Sequence, residues 1–256
     1  LTGSPLVRKL SFTGSTAVGK MLMAQCAGSV KKLALELGGN APFIVFEDAD
    51  LEEAVAAAIA TKFRNAGQTC VCTNRIYVQA GVYDAFVERF TARAAELRLG
   101  PLIDRAAVER MERLVADARA QGARVALGGR RTGADGHFFA PTVLCETSDA
   151  MAVSREEIFG PLAGIARFET EEEVVARAND TGYGLAAYYF TRDAARVWRL
   201  SERLEFGIVT SNTGIFSSEA APFGGVKESG IGREGGREGI EEFVEVKYHC
   251  VGGLAR

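Results

Sequence analysis

The sequence predicts an α/β fold, because helix-type and strand-type segments alternate along the chain. Apolar residues recur every four positions between Leu51 and Phe63, which is the period of one helix face. Short runs such as 75–78 are instead rich in β-branched and aromatic residues, which is typical of strands. With 256 residues, 47% of them hydrophobic, the chain can bury the core that stacked layers need.

The helices are identified by their caps and their apolar faces. Asp50 and Glu53 form a capping box at the start of one helix, and Thr170 and Glu173 form a second box further on. Two central helices show apolar residues three and four positions apart. In chain order, the predicted helices are 17–26, 50–63, 83–97, 108–121, 171–178 and 193–204.

The strands are the apolar runs between these helices. In chain order, the predicted strands are 7–13, 32–37, 41–46, 75–78, 124–127, 164–168, 185–190, 207–211 and 243–250. Residues 214–239 concentrate Gly and Ser, so we expect a loop-rich segment there. The last strand lies so late in the chain that we expect it to pair with another subunit.

Composition excludes several classes of function. A net charge of −3 with scattered Lys and Arg makes nucleic acid an unsuitable partner. No apolar run reaches the roughly 18 residues that span a bilayer, so no membrane association is predicted. Five dispersed cysteines and two histidines argue against a structural metal site and indicate reduced thiols in the cytoplasm. Because the chain begins with Leu1, we expect a fragment of a longer protein.

Cys70 is the first candidate for chemistry, because it lies in a short polar turn between a predicted helix and a predicted strand. Such a junction holds a nucleophile from both sides. Cys72 follows two residues later, and on an extended segment the two side chains would point the same way. One hypothesis is therefore a strained, reducible Cys70–Cys72 disulfide that acts as a redox switch. The alternative is that Cys72 fills a small apolar pocket.

Glu36 is the second candidate, because it ends an apolar strand between Leu35 and Leu37. Partial burial there would raise the pKa of its carboxyl toward neutrality, where it can accept a proton. The alternative is a strand-edge glutamate that faces solvent. A thiol nucleophile whose thioester must be hydrolysed needs such a base, so Cys70 and Glu36 gain weight together.

The segment from Gly14 to Lys20 nearly completes a phosphate-binding loop. The motif requires Ser or Thr at the next position, and Met21 stands there, so a nucleoside-triphosphate loop is disfavoured. A strand that ends in Gly14-Ser15 at a helix start still suits a dinucleotide phosphate. A plain strand-to-helix turn explains the spacing equally well.

Five motifs in order resemble those of the NAD(P)-dependent aldehyde dehydrogenases, closest to the succinate-semialdehyde dehydrogenase branch. They are FTGSTAVG (12–19), LELGGNAP (35–42), FRNAGQTC (63–70), EIFGP (157–161) and PFGG (222–225). The resemblance covers residues 1–253. It implies a three-layer α/β catalytic domain with a remnant of a Rossmann-like cofactor domain. It further implies the division 1–38 (end of the cofactor domain), 39–228 (catalytic domain) and 229–256 (return segment and oligomerisation strand).

The resemblance also implies roles for single residues. Cys70 is the nucleophile that attacks the aldehyde, and Glu36 is the base that activates the hydrolytic water. The residues implied to bind NAD or NADP are Gly14, Ser15, Gly19, Leu37, Glu157 and Phe159. Asn212 and Phe223 match positions on the far side of the site, where packing is an equal alternative.

The implied substrate is a small aldehyde, with succinic semialdehyde favoured. A guanidinium at Arg64 can grip a distant carboxylate in a bidentate pair, and Ser217 matches the hydroxyl that assists it. The alternative for Arg64 is a helix-end arginine that binds terminal carbonyls. The resemblance also implies a dimer or tetramer of identical chains.

Complete members of the family carry further N-terminal segments that supply most of the cofactor sheet. We therefore expect weak activity from this chain alone. The residues leave two other functional classes open. One is a catalytically silent scaffold or oligomerisation module, and the other is a thiol redox protein that uses Cys70 and Cys72.

Overall fold

The computed structural model describes residues 1–133 and 136–253, and it confirms the α/β class with two separate sheets. The strands are β1 (Lys9–Thr13), β2 (Lys32–Glu36), β3 (Ala41–Val45), β4 (Thr73–Gln79), β5 (Arg124–Leu127), β6 (Thr142–Cys145), β7 (Leu162–Phe168), β8 (Ala186–Phe190), β9 (Ile208–Ser211) and β10 (Gly230–Ile231). The helices are α1 (Thr16–Ala27), α2 (Leu51–Phe63), α3 (Tyr83–Ala95), α4 (Arg105–Ala120), α5 (Ala152–Arg155), α6 (Glu171–Asn179), α7 (Ala194–Arg203) and α8 (Gly236–Glu241).

The large sheet has seven strands in the order β5-β6-β7-β4-β3-β8-β9. Its pairs are parallel except for β5 with β6 at one edge. The small sheet has the order β1-β2-β10, in which β1 and β2 are parallel and β10 is antiparallel to β2. The late strand β10 therefore returns to the first part of the chain.

The large sheet is buried on both faces, which makes the three layers that the sequence predicts. Phe43 and Val45 of β3 pack with α2 and α3, whereas the intervening Ile44 packs with α6 and α7. Such a strand is apolar at every position, as expected for a parallel sheet that is covered on both sides. A further cluster joins α4 to β6.

The N-cap half of each predicted capping box is present. The Asp50 carboxylate accepts from the backbone N–H groups of Glu52 and Glu53 at the start of α2. Thr170 accepts from the N–H of Glu173 at the start of α6. Four short elements, β6, α5, β10 and α8, lie outside the predicted ones, because segments of two to six residues are too short to show a period.

The segment 243–250, which the sequence predicts as a strand, forms none within the part of the chain that the structure describes. Phe243 lies against the ammonium of Lys9 in β1, and Glu245 forms an ion pair of 2.9 Å with Lys32 in β2. Val246 is fully exposed. Pairing of this segment with another subunit stays a prediction.

The division into 1–38, 39–228 and 229–256 stays a prediction, and its last residues, 254–256, lie outside the described part. Among the described residues, no helix combines the length and the apolar character that crossing a membrane requires.

The topology brings several loops to one place. The segments just before β3, β4, β7 and β8 lie side by side, because these strands are parallel neighbours. The carboxyl ends of β1 and β2 in the small sheet lead to the same region, because Glu36 ends β2 and the 37–40 loop begins β3. Four of the five sequence motifs contribute residues to one cavity in this region.

One buried charge is unexpected. Lys62, in the last turn of α2, is fully buried, and its Nζ has no hydrogen-bond partner. Burial lowers the pKa of its ammonium to about 8, and the nearby Cys72 acts weakly in the opposite direction. Below that pH the fold holds an uncompensated charge, which lowers its stability.

We predict that Lys62→Met stabilises the fold at pH 7 by up to about 3 kcal/mol, the value of the difference between the folded and unfolded pKa. Because the folded pKa lies below the unfolded one, the stability of the parent should rise between about pH 8 and 10.5. That rise should be smaller in the variant. Urea titrations across this pH range measure both effects, with the exposed Lys247→Met as control. A less stable Lys62→Met at pH 7 would contradict the assignment.

Candidate active site

Cys70 lies in a tight turn between α2 and β4, as the sequence predicts. Asn65, Ala66 and Gly67 have φ values of 52°, 56° and 78°, so the chain reverses in three successive left-handed residues after α2. A second turn follows at once, in which the N–H of Cys72 donates to the carbonyl of Thr69 at 3.1 Å. Residues 69–72 are called the nucleophile turn below.

Two glycines let the neighbouring loops touch this turn with their backbones. A Cβ added at Gly39 would lie 2.2 Å from the carbonyl oxygen of Cys70. A Cβ added at Gly67 would lie 2.1 Å from the carbonyl oxygen of Gly160. Any side chain at either position would push the segments apart, so the position of Cys70 depends on both glycines.

Cys70 and Glu36 line the same cavity, which we call the cofactor-side cavity. Its volume is about 330 Å³. The walls are formed by Thr13, Gly14, Ser15, Glu36, Leu37, Gly38, Cys70, Arg110, Glu157 and Phe159. The structure therefore brings together seven of the residues that the sequence proposes for catalysis and cofactor binding.

Glu36 is the titratable group that the sequence analysis expects at this place. It ends β2, is 5% exposed, and its Oε2 has no hydrogen-bond partner. Burial raises the pKa of its carboxyl to about 7, the negative charge of Glu234 adds to the rise, and Arg233 opposes it. A carboxyl with this pKa accepts a proton near neutral pH, and it has a free oxygen with which to do so.

Cys70 itself is protonated at rest. Burial raises the pKa of its thiol to about 11, and the carboxylates of Glu157 and Glu36 contribute in the same direction. Because the thiolate is the nucleophilic form, this thiol needs a base or a nearby positive charge to react at neutral pH.

Glu157 faces the 37–40 loop from the segment that precedes β7. Its Oε1 accepts a hydrogen bond of 2.9 Å from the N–H of Gly39. Burial raises the pKa of its carboxyl, while that hydrogen bond and the guanidinium of Arg110 lower it. Phe159 stands two residues later with a φ of 51° and lies in the cavity wall. A carboxylate and an aromatic ring thus share one side of the cavity.

The turn after β1 also contributes to the cavity wall. Gly14 and Ser15 lie in the wall, and the Ser15 hydroxyl caps α1 by accepting from the N–H of Val18 at 3.3 Å. Gly19 does not line the cavity. A Cβ there would lie 2.6 Å from the side chain of Leu37, so this glycine instead makes room for Leu37 against α1.

A second cavity of about 440 Å³ lies beside the nucleophile turn, and we call it the aldehyde-side cavity. Arg64 and Ser217, the two predicted substrate residues, are both in its wall. Within the described residues, the Arg64 guanidinium makes no ion pair, and the helix-end carbonyl contacts that the sequence left open are not formed. The other lining residues are Ala60, Thr61, Thr69, Val71, Tyr188, Gly214, Ile215 and Phe216.

The expectation that Cys72 lies with Cys70 on an extended segment is wrong, because the two residues belong to a turn. Cys72 is buried, and its Sγ lies 2.7 Å from the hydroxyl oxygen of Thr69. Both cysteines are free thiols in this structure. The redox switch stays a prediction that no contact of the structure tests.

Asn212 and Phe223 have packing contacts. The Asn212 amide bonds both backbone groups of Thr191, accepting from its N–H at 3.0 Å and donating to its carbonyl at 2.9 Å. The Phe223 ring stacks on Phe216 with ring centroids 6.4 Å apart. Phe223 thus supports a residue of the aldehyde-side wall.

Sequence reasoning missed three residues that shape the site. Arg110 reaches the cofactor-side cavity from α4 and donates to the backbone carbonyl of Glu157. Asn74 bonds the side chain of Asn40 and the backbone of the 156–158 segment. Tyr188 lines the aldehyde-side cavity. The polar Asn74 at the start of an apolar strand was a usable signal, whereas the other two depend on tertiary contacts.

Comparisons with known proteins agree with this geometry. Residues 1–249 match the sequence family described as the aldehyde dehydrogenase family. The chain is 56% identical to the NADP(+) succinate-semialdehyde dehydrogenase of Escherichia coli (strain K12), covering 98% of this chain and 54% of that protein. It is 57% identical to the 3-sulfolactaldehyde dehydrogenase of Pseudomonas putida, covering 100% of this chain and 55% of that protein.

A solved structure gives the same result. The crystal structure of succinate-semialdehyde dehydrogenase from Burkholderia pseudomallei superposes with a TM-score of 0.96 at 57% identity, covering 98% of this chain and 54% of that one. The chain thus spans about half the length of the curated relatives it matches.

We predict that Gly39→Ala lowers the rate of Cys70 alkylation by iodoacetamide about 100-fold, because the added Cβ displaces the nucleophile turn. The matched control is Gly28→Ala, since Gly28 has a φ of −64° and nothing lies near its added Cβ. That control should react like the parent. Equal alkylation rates in all three proteins would show that the close approach at Gly39 does not position Cys70.

Proposed function

Since the chain belongs to the aldehyde dehydrogenase family, we propose that the protein that carries it oxidises an aldehyde to a carboxylic acid with NAD or NADP. One observation carries the proposal. A half-buried thiol and a buried carboxyl with a free oxygen and a pKa of about 7 line the same cavity. This is the pair that covalent catalysis through a thioester requires.

The proposed reaction begins at Cys70. Its Sγ attacks the aldehyde carbonyl and forms a thiohemiacetal, and the backbone N–H of Cys70 can donate to the developing oxyanion. Because the resting thiol is protonated, Glu36 is well placed in the shared cavity to receive its proton. Glu36 then releases that proton to solvent. After oxidation to the thioester it takes a proton from the attacking water, and cleavage of the C–S bond releases the carboxylic acid and returns the thiol.

The cofactor-side cavity fits a dinucleotide in the chemistry of its walls. The N-terminus of α1 with Gly14 and Ser15 suits a phosphate, and Arg110 adds a positive charge on the same cavity. The carboxylate of Glu157 suits ribose hydroxyls, and Phe159 and Leu37 line the same cavity. A nicotinamide dinucleotide supplies a hydride acceptor when it is bound. The E. coli relative is named for NADP(+), and we leave the proposal at NAD or NADP.

The proposed substrate is a short aldehyde with an anionic group at its far end, with succinic semialdehyde favoured. Arg64 has no ion pair among the described residues and faces the aldehyde-side cavity together with Ser217. A free guanidinium in a mostly apolar cavity favours a carboxylate or sulfonate. The names of both relatives fit this chemistry, because succinate semialdehyde and sulfolactaldehyde each carry such a group.

Two structural features support further parts of the proposal. The exposed apolar residues of the segment 243–251 favour pairing with a second copy of the chain. The position of Cys72 within the nucleophile turn keeps a reversible thiol switch as a second candidate role for that residue. A silent scaffold or a thiol protein without nicotinamide would need neither Glu36 nor Arg64 in its cavities.

The proposal is tested by reduction of nicotinamide with a panel of aldehydes, measured for the protein at its natural length. Succinic semialdehyde should support reduction, and Arg64→Leu should raise its KM about 10-fold to 100-fold, because a charge-assisted contact is lost. The KM of a neutral aldehyde should stay unchanged.

The matched control is Arg237→Leu, which removes an exposed guanidinium outside both cavities. Equal rises in KM for both aldehydes in Arg64→Leu would exclude the carboxylate contact. An absence of aldehyde-dependent reduction in the parent would exclude the function itself.

A further inference from the structure

Tyr188 connects the aldehyde-side cavity to the nucleophile turn. It stands on β8, is 1% exposed, and its ring forms part of the cavity wall. Its hydroxyl donates to the carbonyl of Val71, the residue after Cys70, at 2.7 Å. Phe43 and Phe216 lie against the ring, each with a centroid distance of 5.9 Å. The ring is therefore fixed on two sides while its hydroxyl reaches the turn.

Together with the hydrogen bond that closes the turn, the Tyr188 bond holds one peptide group at both its N–H and its carbonyl. The peptide between Val71 and Cys72 donates its N–H to the carbonyl of Thr69, which closes the nucleophile turn. Its carbonyl accepts from Tyr188. Cys70 is a central residue of this turn, so the closing peptide fixes the direction of both its thiol and its N–H.

We propose that Tyr188 is a positioning residue for Cys70. The Tyr188 hydroxyl holds the Val71 carbonyl by a hydrogen bond and thereby orients the nucleophile from the wall of the aldehyde-side cavity. The inference rests on the proposed function and adds to it a residue outside the sequence motifs. Burial raises the pKa of the Tyr188 hydroxyl, so it stays a neutral donor throughout the working pH range. A hydrogen bond to a buried carbonyl keeps its geometry best when the donor does not ionise.

The neighbouring residue supplies a matched control. Tyr189 is equally buried, and its hydroxyl donates to the carbonyl of Val197 at 2.8 Å. Because side chains alternate along a strand, Tyr189 faces the layer of α6 and α7, away from the nucleophile turn. The two tyrosines thus make similar bonds, and one of these bonds is at the site.

The test compares Tyr188→Phe with Tyr189→Phe in the protein at its natural length. Tyr188→Phe keeps the ring and the cavity wall, so KM for succinic semialdehyde should stay within about twofold of the parent, while kcat falls about 10-fold to 100-fold. A neutral aldehyde should lose kcat by the same factor. Tyr189→Phe should leave kcat and KM unchanged. Each kcat is normalised to the folded fraction from circular dichroism.

Hydrogen–deuterium exchange gives a readout that does not depend on turnover. The amide of Cys72 should exchange about 10-fold faster in Tyr188→Phe, because the peptide is held at one atom only, and it should be unchanged in Tyr189→Phe. An unchanged kcat, an unchanged exchange rate, or equal effects in the two variants would overturn the inference. If the parent oxidises no aldehyde, the proposed function fails, and the exchange rates still decide the role of Tyr188.

Discussion

The site depends on backbone segments that meet with no side chain between them. Gly39 lets the 37–40 loop rest against the carbonyl of Cys70, and Gly67 lets the turn after α2 rest against the carbonyl of Gly160. These segments precede β3, β4 and β7, which are neighbours in one parallel sheet. The order of the strands therefore brings the loops together, and the two glycines set how closely they approach.

This close packing also determines the electrostatics. Glu36, Cys70 and Glu157 share one cavity from which much of the water is removed, so burial raises the pKa of all three groups. The two carboxyls further disfavour a thiolate at Cys70. In the proposed function, the resting site consequently holds its nucleophile protonated in the same cavity as the base that takes the proton. Reactivity then depends on what enters the cavity.

The sequence predicted the fold wherever the local pattern and the tertiary environment agree. The helix α2 is an example, since its cap, its period and its burial all coincide. The segment 243–250 is the opposite case, because strand-type residues form a strand only beside a partner, and this chain offers none among its described residues. The sequence analysis missed the strand β6, because its four residues are too few to show the alternation of a strand.

The site residues that lie in short sequence motifs could be predicted, and those outside the motifs could not. Cys70 and Glu36 carry local signals, namely a polar turn after a helix and a carboxyl at the end of an apolar strand. Tyr188 and Arg110 carry none, because they reach the site across the sheet and from α4. The error over Cys72 came from assuming an extended segment where two consecutive turns reverse the chain.

The central claim is that Cys70 forms a covalent intermediate that Glu36 resolves. Its most direct test is peptide mass spectrometry of the Glu36→Gln variant after incubation with succinic semialdehyde and the oxidised cofactor. The account predicts an acyl group on Cys70 that accumulates to nearly one per chain in the variant and not in the parent. Continued aldehyde oxidation without acylated Cys70, or an acyl group on Cys72 instead, would contradict it.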